Sequence, residues 1–161
     1  MTLFTTDLCD AYSSAAGFQI AEPIFKSFGS NRQFSGQITT LQVLEDNVLV
    51  RNTLEQCVEN RVLVIDGQGS LKCALLGDNL ALIAHKNGWQ GIIVNGCIRD
   101  TEQVNQIPIG IKALAAHPLK SQKNGLGSQG TTLYFAGISF EPEHYLYSDS
   151  DGIVVSKERI R

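Results

Sequence analysis

The segment Leu75–Asp100 most constrains the fold of this chain, because a helix pattern, a turn and a strand pattern follow one another within it. Its first part predicts a short buried helix that Asp78 opens and that an Asn-Gly pair ends. Its second part contains Gly91–Asn95, with the continuous apolar run of a strand covered on both faces. Since side chains at the ends of such elements converge in open α/β folds, we expect Asp78, Arg99 and Asp100 to lie close together.

The rest of the chain alternates between helix patterns and strand patterns. Helices are expected from Thr6 or Asp7 to about Ser14, from Asp46 or Asn47 to about Glu59, and over the polar segment 101–106. Strands are expected at Phe34–Leu44, Arg61–Asp66, Ile109–Ala115, Leu133–Phe140 and Gly152–Ser156. Segment 18–28 is expected to be extended or a loop, and 121–132 a mobile loop, a lid or a subunit contact. The alternation predicts the α/β class.

Composition narrows the possible functions. A chain of 161 residues with 43% hydrophobic content is expected to form one domain, 1–161. A formal net charge of -3, with thirteen scattered Lys and Arg, argues against direct binding of nucleic acid. The four cysteines lack zinc spacing and are expected to be reduced, buried thiols. With neither a signal peptide pattern nor a membrane-span pattern in the sequence, we expect a soluble, cytoplasmic protein.

One spacing in the central segment is specific. Asp78 is followed by twenty residues and then by Arg99-Asp100, which gives D-x20-R-D with Gly77 immediately before it. This pattern resembles the signature of the class II pyruvate aldolases that cleave 4-hydroxy-4-methyl-2-oxoglutarate, a family that shares its fold with the regulator of ribonuclease activity A (RraA). The similarity runs from Asp7-Leu8-Cys9-Asp10 to the segment 148–155. It implies an RraA-like domain of the swivelling β/β/α type that assembles into a homotrimer with sites between subunits.

The resemblance also implies a role for each residue of the motif. The residues that it assigns to the substrate are Gly77, Asp78, Asn79, Leu80 and Arg99, and the residue that it assigns to the metal is Asp100. The implied cofactor is Mg²⁺ or Mn²⁺, and the implied substrate is a small 2-oxo acid that is cleaved to pyruvate.

The chemistry of this cleavage suits these residue types. Breaking a carbon–carbon bond beside a 2-oxo group sends two electrons towards that group as an enolate, which a cation stabilises. Asp100 would provide a hard oxygen ligand for the metal, and Arg99 a fork of donors for the substrate oxygens. The N–H groups of Asn79 and Leu80 at a helix start suit a carboxylate, and Asp78 would orient a water that removes the hydroxyl proton. The same enolate forms when CO₂ leaves oxaloacetate, so decarboxylation is an expected side activity.

Two functions remain open in the sequence. The first is a metal-dependent lyase, and the second is a non-enzymatic regulator that binds and inhibits ribonuclease E. Plain structural roles are also possible, with Asp78 as a helix N-cap and Arg99-Asp100 as a surface ion pair. The turn Gly67–Ser70 lacks the full dinucleotide and P-loop patterns, so it is either a tight turn or the border of a ligand site.

Overall fold

The computed structural model describes residues 3–161, which form a ten-stranded sheet, a separate two-stranded hairpin and four helices. The helices are α1 (Thr5–Tyr12), α2 (Val48–Leu54), α3 (Asp78–Lys86) and α4 (Thr101–Val104). The strands are β1 (Phe18–Ile20), β2 (Lys26–Phe28), β3 (Phe34–Gln42), β4 (Arg61–Asp66), β5 (Ala74–Leu76), β6 (Trp89–Ile98), β7 (Gly110–Ala116), β8 (Ser128–Gln129), β9 (Leu133–Phe135), β10 (Ile138–Phe140), β11 (Tyr145–Ser148) and β12 (Ile153–Ser156). The mixed α/β class is confirmed.

Parallel pairing organises the middle of the sheet. The order of the main path is β1-β12-β11-β3-β4-β6-β7-β2, and β3, β4, β6 and β7 are parallel to their neighbours among these four. The short strand β5 also pairs in parallel with β6. Helices α2, α3 and α4 lie in the connections between these strands, as parallel pairing requires. The carboxyl ends of β5 and β6 therefore lie side by side at one end of the sheet.

Apolar layers cover both faces of the central strands. In β4, Leu63 and Ile65 face a core that includes residues of α2 and α3, whereas Val62 and Val64 face a second core beneath the β9–β10 hairpin. All four side chains are fully buried. This confirms the prediction that Arg61–Asp66 is a strand covered on both faces, and burial of this kind supplies most of the stability of such a sheet.

The sheet curls so that distant strands come into contact. The ring of Phe34 in β3 lies against Gly91 in β6 and Gly110 in β7, where a Cβ atom would overlap it. Lys112 in β7 donates from Nζ to the main-chain carbonyl of Asp149 after β11, at 2.6 Å. Neighbouring strands lie about 4.8 Å apart, so four strand steps in a flat sheet would separate β7 and β11 by roughly 19 Å. The contact therefore requires strong curvature.

Several boundaries differ from the sequence predictions. Helix α2 ends at Leu54 rather than near Glu59, and β6 is longer than Gly91–Asn95 at both ends. The segment 133–140 forms two strands instead of one, because Ala136 and Gly137 adopt positive φ angles of 53° and 74° and turn the chain. Strands β5, β8 and β11 were missed, and β8 lies inside the segment 121–132 that was expected to be a loop. All three are short, and their strand conformation depends on pairing with distant partners that a local pattern does not reveal.

The cysteines and the helices bear on two further expectations. All four cysteines are free, as expected, but only Cys73 and Cys97 are buried, while Cys57 is exposed and Cys9 is partly exposed. Within residues 3–161, none of the helices has the length and apolar character that crossing a bilayer requires.

A buried carboxylate joins α1 to the turn between β11 and β12. Asp149 is 6% exposed and accepts hydrogen bonds from the backbone N–H and the hydroxyl of Thr5, both at 2.7 Å. It also accepts from the N–H of Asp151 at 3.0 Å. Burial alone raises the pKa of Asp149, but these hydrogen bonds outweigh that effect, so the pKa lies below its ordinary value.

Asp149→Asn is expected to lower the free energy of unfolding by about 2 kcal/mol at pH 7, because bonds from Thr5 to a charged acceptor are lost. Since the folded-state pKa of Asp149 is lowered, this stabilisation is complete above the ordinary pKa and disappears as pH falls through the folded-state value. Urea unfolding from pH 7 to pH 2 measures it, with exposed Asp151→Asn as control. A difference between Asp149→Asn and the wild type that stays constant over this range would contradict the prediction.

Candidate active site

The three side chains singled out in the sequence come together at the carboxyl ends of β5 and β6. Gly77 follows β5 and leads into α3, which Asp78 begins, while Arg99 and Asp100 follow β6. The backbone N–H of Arg99 donates to the carbonyl of Leu76 at 2.9 Å, which joins the two strand ends. Gly77, Asp78, Asn79, Leu80, Arg99 and Asp100 all line one cavity of about 120 Å³. The expected convergence is confirmed.

Gly77 makes room for the carboxylate of Asp100. A Cβ atom at position 77 would lie 2.6 Å from Oδ2 of Asp100 and 3.3 Å from Cγ of Arg99. Asp100 itself adopts the left-handed backbone conformation, with φ 58° and ψ 42°, and its side chain is exposed. Non-glycine residues adopt this conformation uncommonly, and Asp is among those that do so most often. The turn therefore directs the Asp100 carboxylate towards the start of α3.

The start of α3 has an arrangement that the sequence did not predict. The N-cap residue is Gly77, which supplies no side-chain cap, so the interpretation of Asp78 as a plain N-cap is wrong. Asp78 instead accepts the N–H of Asn79 on Oδ1 at 2.8 Å, and the N–H of Asp78 makes a long bond of 3.4 Å to Oδ2 of Asp100. An incoming carboxylate would have to displace the Asp78 side chain from the N–H of Asn79.

Arg99 has donors free for a ligand. Its one side-chain hydrogen bond within residues 3–161 is a long contact of 3.5 Å to the carbonyl of Pro118. The ion pairs of Arg and Lys within the same residues are Arg51–Glu55 and Arg61–Glu143. A surface ion pair between Arg99 and Asp100 is therefore not formed, and both charged groups face the cavity without neutralising each other.

The sequence did not reveal a second group of residues that line the cavity. These residues are Asn47, which precedes α2, and Arg51 within α2, together with Lys120, Ser121 and Lys123 from the loop after β7. Lys123 donates from Nζ to Oδ1 of Asn47 at 3.1 Å, so the two segments meet. The only signal in the sequence was the length of the loop at 121–132, which suited a lid, because nothing local connects it with α2.

The cavity is positively charged within an acidic protein. Arg51, Arg99, Lys120 and Lys123 face it together with two carboxylates, those of Asp78 and Asp100, which leaves a formal excess of two positive charges. The whole chain has a formal net charge of -3. Such a local concentration of cations favours a small ligand with more than one negative charge.

The chemistry of Asp100 fits a hard divalent cation. Its carboxylate is exposed to the cavity, accepts only the long bond from Asp78 among the residues that the structure describes, and has space that a side chain at position 77 would fill. Among residues 3–161, no group of three or more His, Cys, Asp or Glu side chains is arranged to hold a metal ion. One carboxylate, with water and substrate oxygens completing the coordination, is a usual arrangement for Mg²⁺.

Other polar residues from the sequence lie away from this cavity. Nδ1 of His117 accepts the N–H of Leu119 at 3.1 Å, and His144 pairs with Glu141 at 3.0 Å. The turn at 67–70 is held by a different network, in which the buried Asp66 accepts from Asn95 and from the N–H of Gln68. None of the residues at 67–70 lines the cavity, so the structure favours a tight turn there.

The fold and the site define a member of the RraA-like proteins. The family model described as "RraA-like: Aldolase/RraA" matches residues 5–155, and the chain belongs to this family. A protein of Methylococcus capsulatus, named provisionally as a 4-hydroxy-4-methyl-2-oxoglutarate aldolase, is 53% identical over 160 residues, which cover 99% of each chain.

Two solved structures are also similar over nearly the whole chain. The RNA-processing inhibitor RraA from Thermus thermophilis has a TM-score of 0.94 and 43% identity, covering 100% of this chain and 96% of that one. A protein from Geobacillus kaustophilus, named as an S-adenosylmethionine: 2-dimethylmenaquinone methyltransferase, has a TM-score of 0.95 and 46% identity, covering 98% and 97%. The relatives agree in fold and differ in named activity, so function has to be argued from the site.

Gly77→Ala is expected to weaken Mn²⁺ binding by about tenfold, because its Cβ would push the Asp100 carboxylate out of place. Titration followed by electron paramagnetic resonance, with oxalate present, measures the affinity. Gly152→Ala is the control, since a Cβ there would meet nothing within 4 Å. Equal Mn²⁺ affinity of Gly77→Ala and the wild type would remove Gly77 and Asp100 from the metal site.

Proposed function

We propose that this protein is a divalent-metal-dependent lyase that cleaves 4-hydroxy-4-methyl-2-oxoglutarate into two molecules of pyruvate. The observation that carries the proposal is the meeting of Arg99, Asp100 and the start of α3 in one positively charged cavity. The names of full-length relatives at about 50% identity support the same substrate.

The reaction breaks the bond between C3 and C4 of the substrate. The hydroxyl on C4 loses its proton and becomes the carbonyl of one pyruvate. The electron pair of the broken bond moves to C3 and is delocalised onto the 2-oxo oxygen as the enolate of the other pyruvate, which a proton then converts to the keto form. The site therefore has to stabilise negative charge at the 2-oxo oxygen and accept a proton near C4.

The residues of the chain suit these two tasks. Arg99 presents guanidinium N–H donors to the 2-oxo oxygen and the adjacent carboxylate, and these bonds strengthen as charge develops. Asp78 lies at the cavity wall, where its carboxylate would orient a water that takes the hydroxyl proton. The N–H groups of Asn79 and Leu80 would bind the carboxylate, assisted by the dipole of the nine-residue helix α3.

Asp100 is the residue that would hold Mg²⁺ or Mn²⁺. When bound, the cation would supply a Lewis acid for the charge on the 2-oxo oxygen. Because Gly77 has no side chain, the Asp100 carboxylate can occupy the space beside it.

A second group of cavity residues suits the second carboxylate of the substrate. Lys120, Lys123 and Arg51 line the same cavity as Arg99, and they would bind the carboxylate on C4. A dicarboxylic 2-oxo acid would then contact both Arg99 and these cations. Oxaloacetate has the same pattern of charges and gives the same enolate when CO₂ leaves, so we propose its decarboxylation as a side activity.

Asp100→Asn is expected to lower the rate of pyruvate release by roughly a hundredfold or more, because the metal ligand for the developing charge is lost. A coupled pyruvate assay with Mg²⁺, with Mn²⁺ and with EDTA measures this for both substrates. Glu102→Gln, an exposed carboxylate two residues away, serves as the control and should keep wild-type activity. Pyruvate release that persists in Asp100→Asn or ignores EDTA would rule out the metal-dependent lyase.

We also propose that the chain assembles into a cytoplasmic homotrimer whose sites lie near subunit contacts. Leu119 and Leu126, on the loop that carries the cavity lysines, are 58% and 67% exposed, and apolar side chains of this size favour a partner surface. Four free cysteines agree with a reducing compartment.

Light scattering should give three times the 17.5 kDa mass of the chain, and Leu126→Glu should shift the protein to smaller species. A monomeric wild type would contradict the trimer.

The second candidate function is inhibition of ribonuclease E by direct binding. It is favoured by one observation, the TM-score of 0.94 and 43% identity to the RNA-processing inhibitor RraA. A pull-down with ribonuclease E and an RNA-cleavage assay test it. Binding and inhibition that are equal for the wild type and Asp100→Asn, without pyruvate release by either, would favour the regulator over the lyase.

A further inference from the structure

A buried carboxylate lies next to the loop that carries the cavity residue Lys123. Asp46 is 2% exposed and does not line the cavity. Its Oδ1 accepts the N–H of Val48 at 3.1 Å, and its Oδ2 accepts the N–H groups of Asn124 at 2.8 Å and Leu126 at 3.3 Å. One side chain thus binds both the start of α2 and the loop after β7.

Asp46 holds two segments that each carry cavity residues. Asn47 follows it directly, and Lys123 lies between two anchored positions, since the N–H of Gln122 donates to the carbonyl of Glu45 at 2.9 Å. Residues 122–130 are otherwise exposed to solvent. The position of Lys123 relative to α2 therefore depends on a few backbone contacts, and Asp46 accepts two of them.

The charge state of Asp46 agrees with this geometry. Burial alone raises the pKa of Asp46, but the backbone N–H groups of Val48, Asn124 and Leu126 outweigh that effect, so the pKa lies below its ordinary value. An ionised carboxylate accepts on both oxygens at once, which an amide side chain of the same shape cannot do.

We propose that Asp46 is a positioning residue that fixes the loop of Lys123 against the start of α2, in the cavity that Arg99 also lines, and thereby sets the preference for substrates with a second carboxylate. This inference rests on the proposed function, because it concerns the same cavity. Asp46 itself does not touch the substrate. It acts through Lys123. Asp46 fixes the backbone next to Lys123 at Asn124, and this keeps the Lys123 ammonium group within hydrogen-bonding distance of Asn47.

The matched control is another buried carboxylate. Asp149 is also nearly buried, also accepts backbone N–H groups and also has a lowered pKa, but it lies away from the cavity. Asp149→Asn and Asp46→Asn are expected to destabilise the fold by comparable amounts. Any difference between them in substrate preference is then due to the loop rather than to stability.

The experiment compares two substrates. One is 4-hydroxy-4-methyl-2-oxoglutarate, and the other is 4-hydroxy-4-methyl-2-oxopentanoate, in which a methyl group replaces the second carboxylate and cleavage gives pyruvate and acetone. For Asp46→Asn we expect KM for the dicarboxylate to rise by about tenfold with little change in kcat, while both constants for the monocarboxylate stay near wild type. Asp149→Asn should leave the ratio of kcat/KM between the two substrates unchanged.

A second measurement does not depend on catalysis. Hydrogen exchange of the Asn124 and Leu126 amides should accelerate by about tenfold or more in Asp46→Asn but not in Asp149→Asn, and succinate binding by calorimetry should weaken in parallel. If the wild type releases no pyruvate, the proposed function fails and these two readouts decide the inference alone. The inference would be overturned by unchanged hydrogen exchange, by unchanged succinate affinity, or by an equal loss of kcat/KM for both substrates.

Discussion

The parallel pairing of β5 with β6 is the constraint on which the site depends. It brings the end of one strand, Leu76, to hydrogen-bonding distance of Arg99 at the end of the other. Asp78 and Arg99, which twenty residues separate in sequence, thereby face one cavity. Gly77 completes the arrangement, because a side chain there would occupy the space of the Asp100 carboxylate. The connection through α3 makes the pairing possible, since parallel strands need a crossover of this length.

Charge is distributed unevenly over this protein. The chain as a whole is acidic, yet the cavity concentrates four cationic side chains against two carboxylates. Overall charge therefore bears on solubility and on large polyanionic partners, whereas the local arrangement decides which small anion binds. Buried carboxylates have a different role in the same fold. Asp46 and Asp149 are held ionised by backbone N–H groups, and each joins segments that are far apart in sequence.

Nearly identical folds carry different names in this family. An aldolase, an inhibitor of RNA processing and a methyltransferase are named among relatives that share 43% to 53% identity with this chain. A fold held by its central sheet and its two apolar layers does not by itself determine chemistry. The exposed carboxylate of Asp100, the free donors of Arg99 and the lysines of the same cavity are the features on which the proposed lyase activity rests.

The sequence by itself determined the α/β class, the buried strand at Arg61–Asp66, the helix that begins at Asp78, and the grouping of Asp78, Arg99 and Asp100, because these features depend on local periodicity and on one motif. The second group of cavity residues was decided only by the tertiary structure. Asn47 and Lys123 come from segments whose local patterns predict a helix start and a loop, and they meet because Asp46 accepts backbone N–H groups from both segments. The strands β5 and β11 could likewise not be predicted from the sequence, because a strand of three or four residues forms only by pairing with its neighbours.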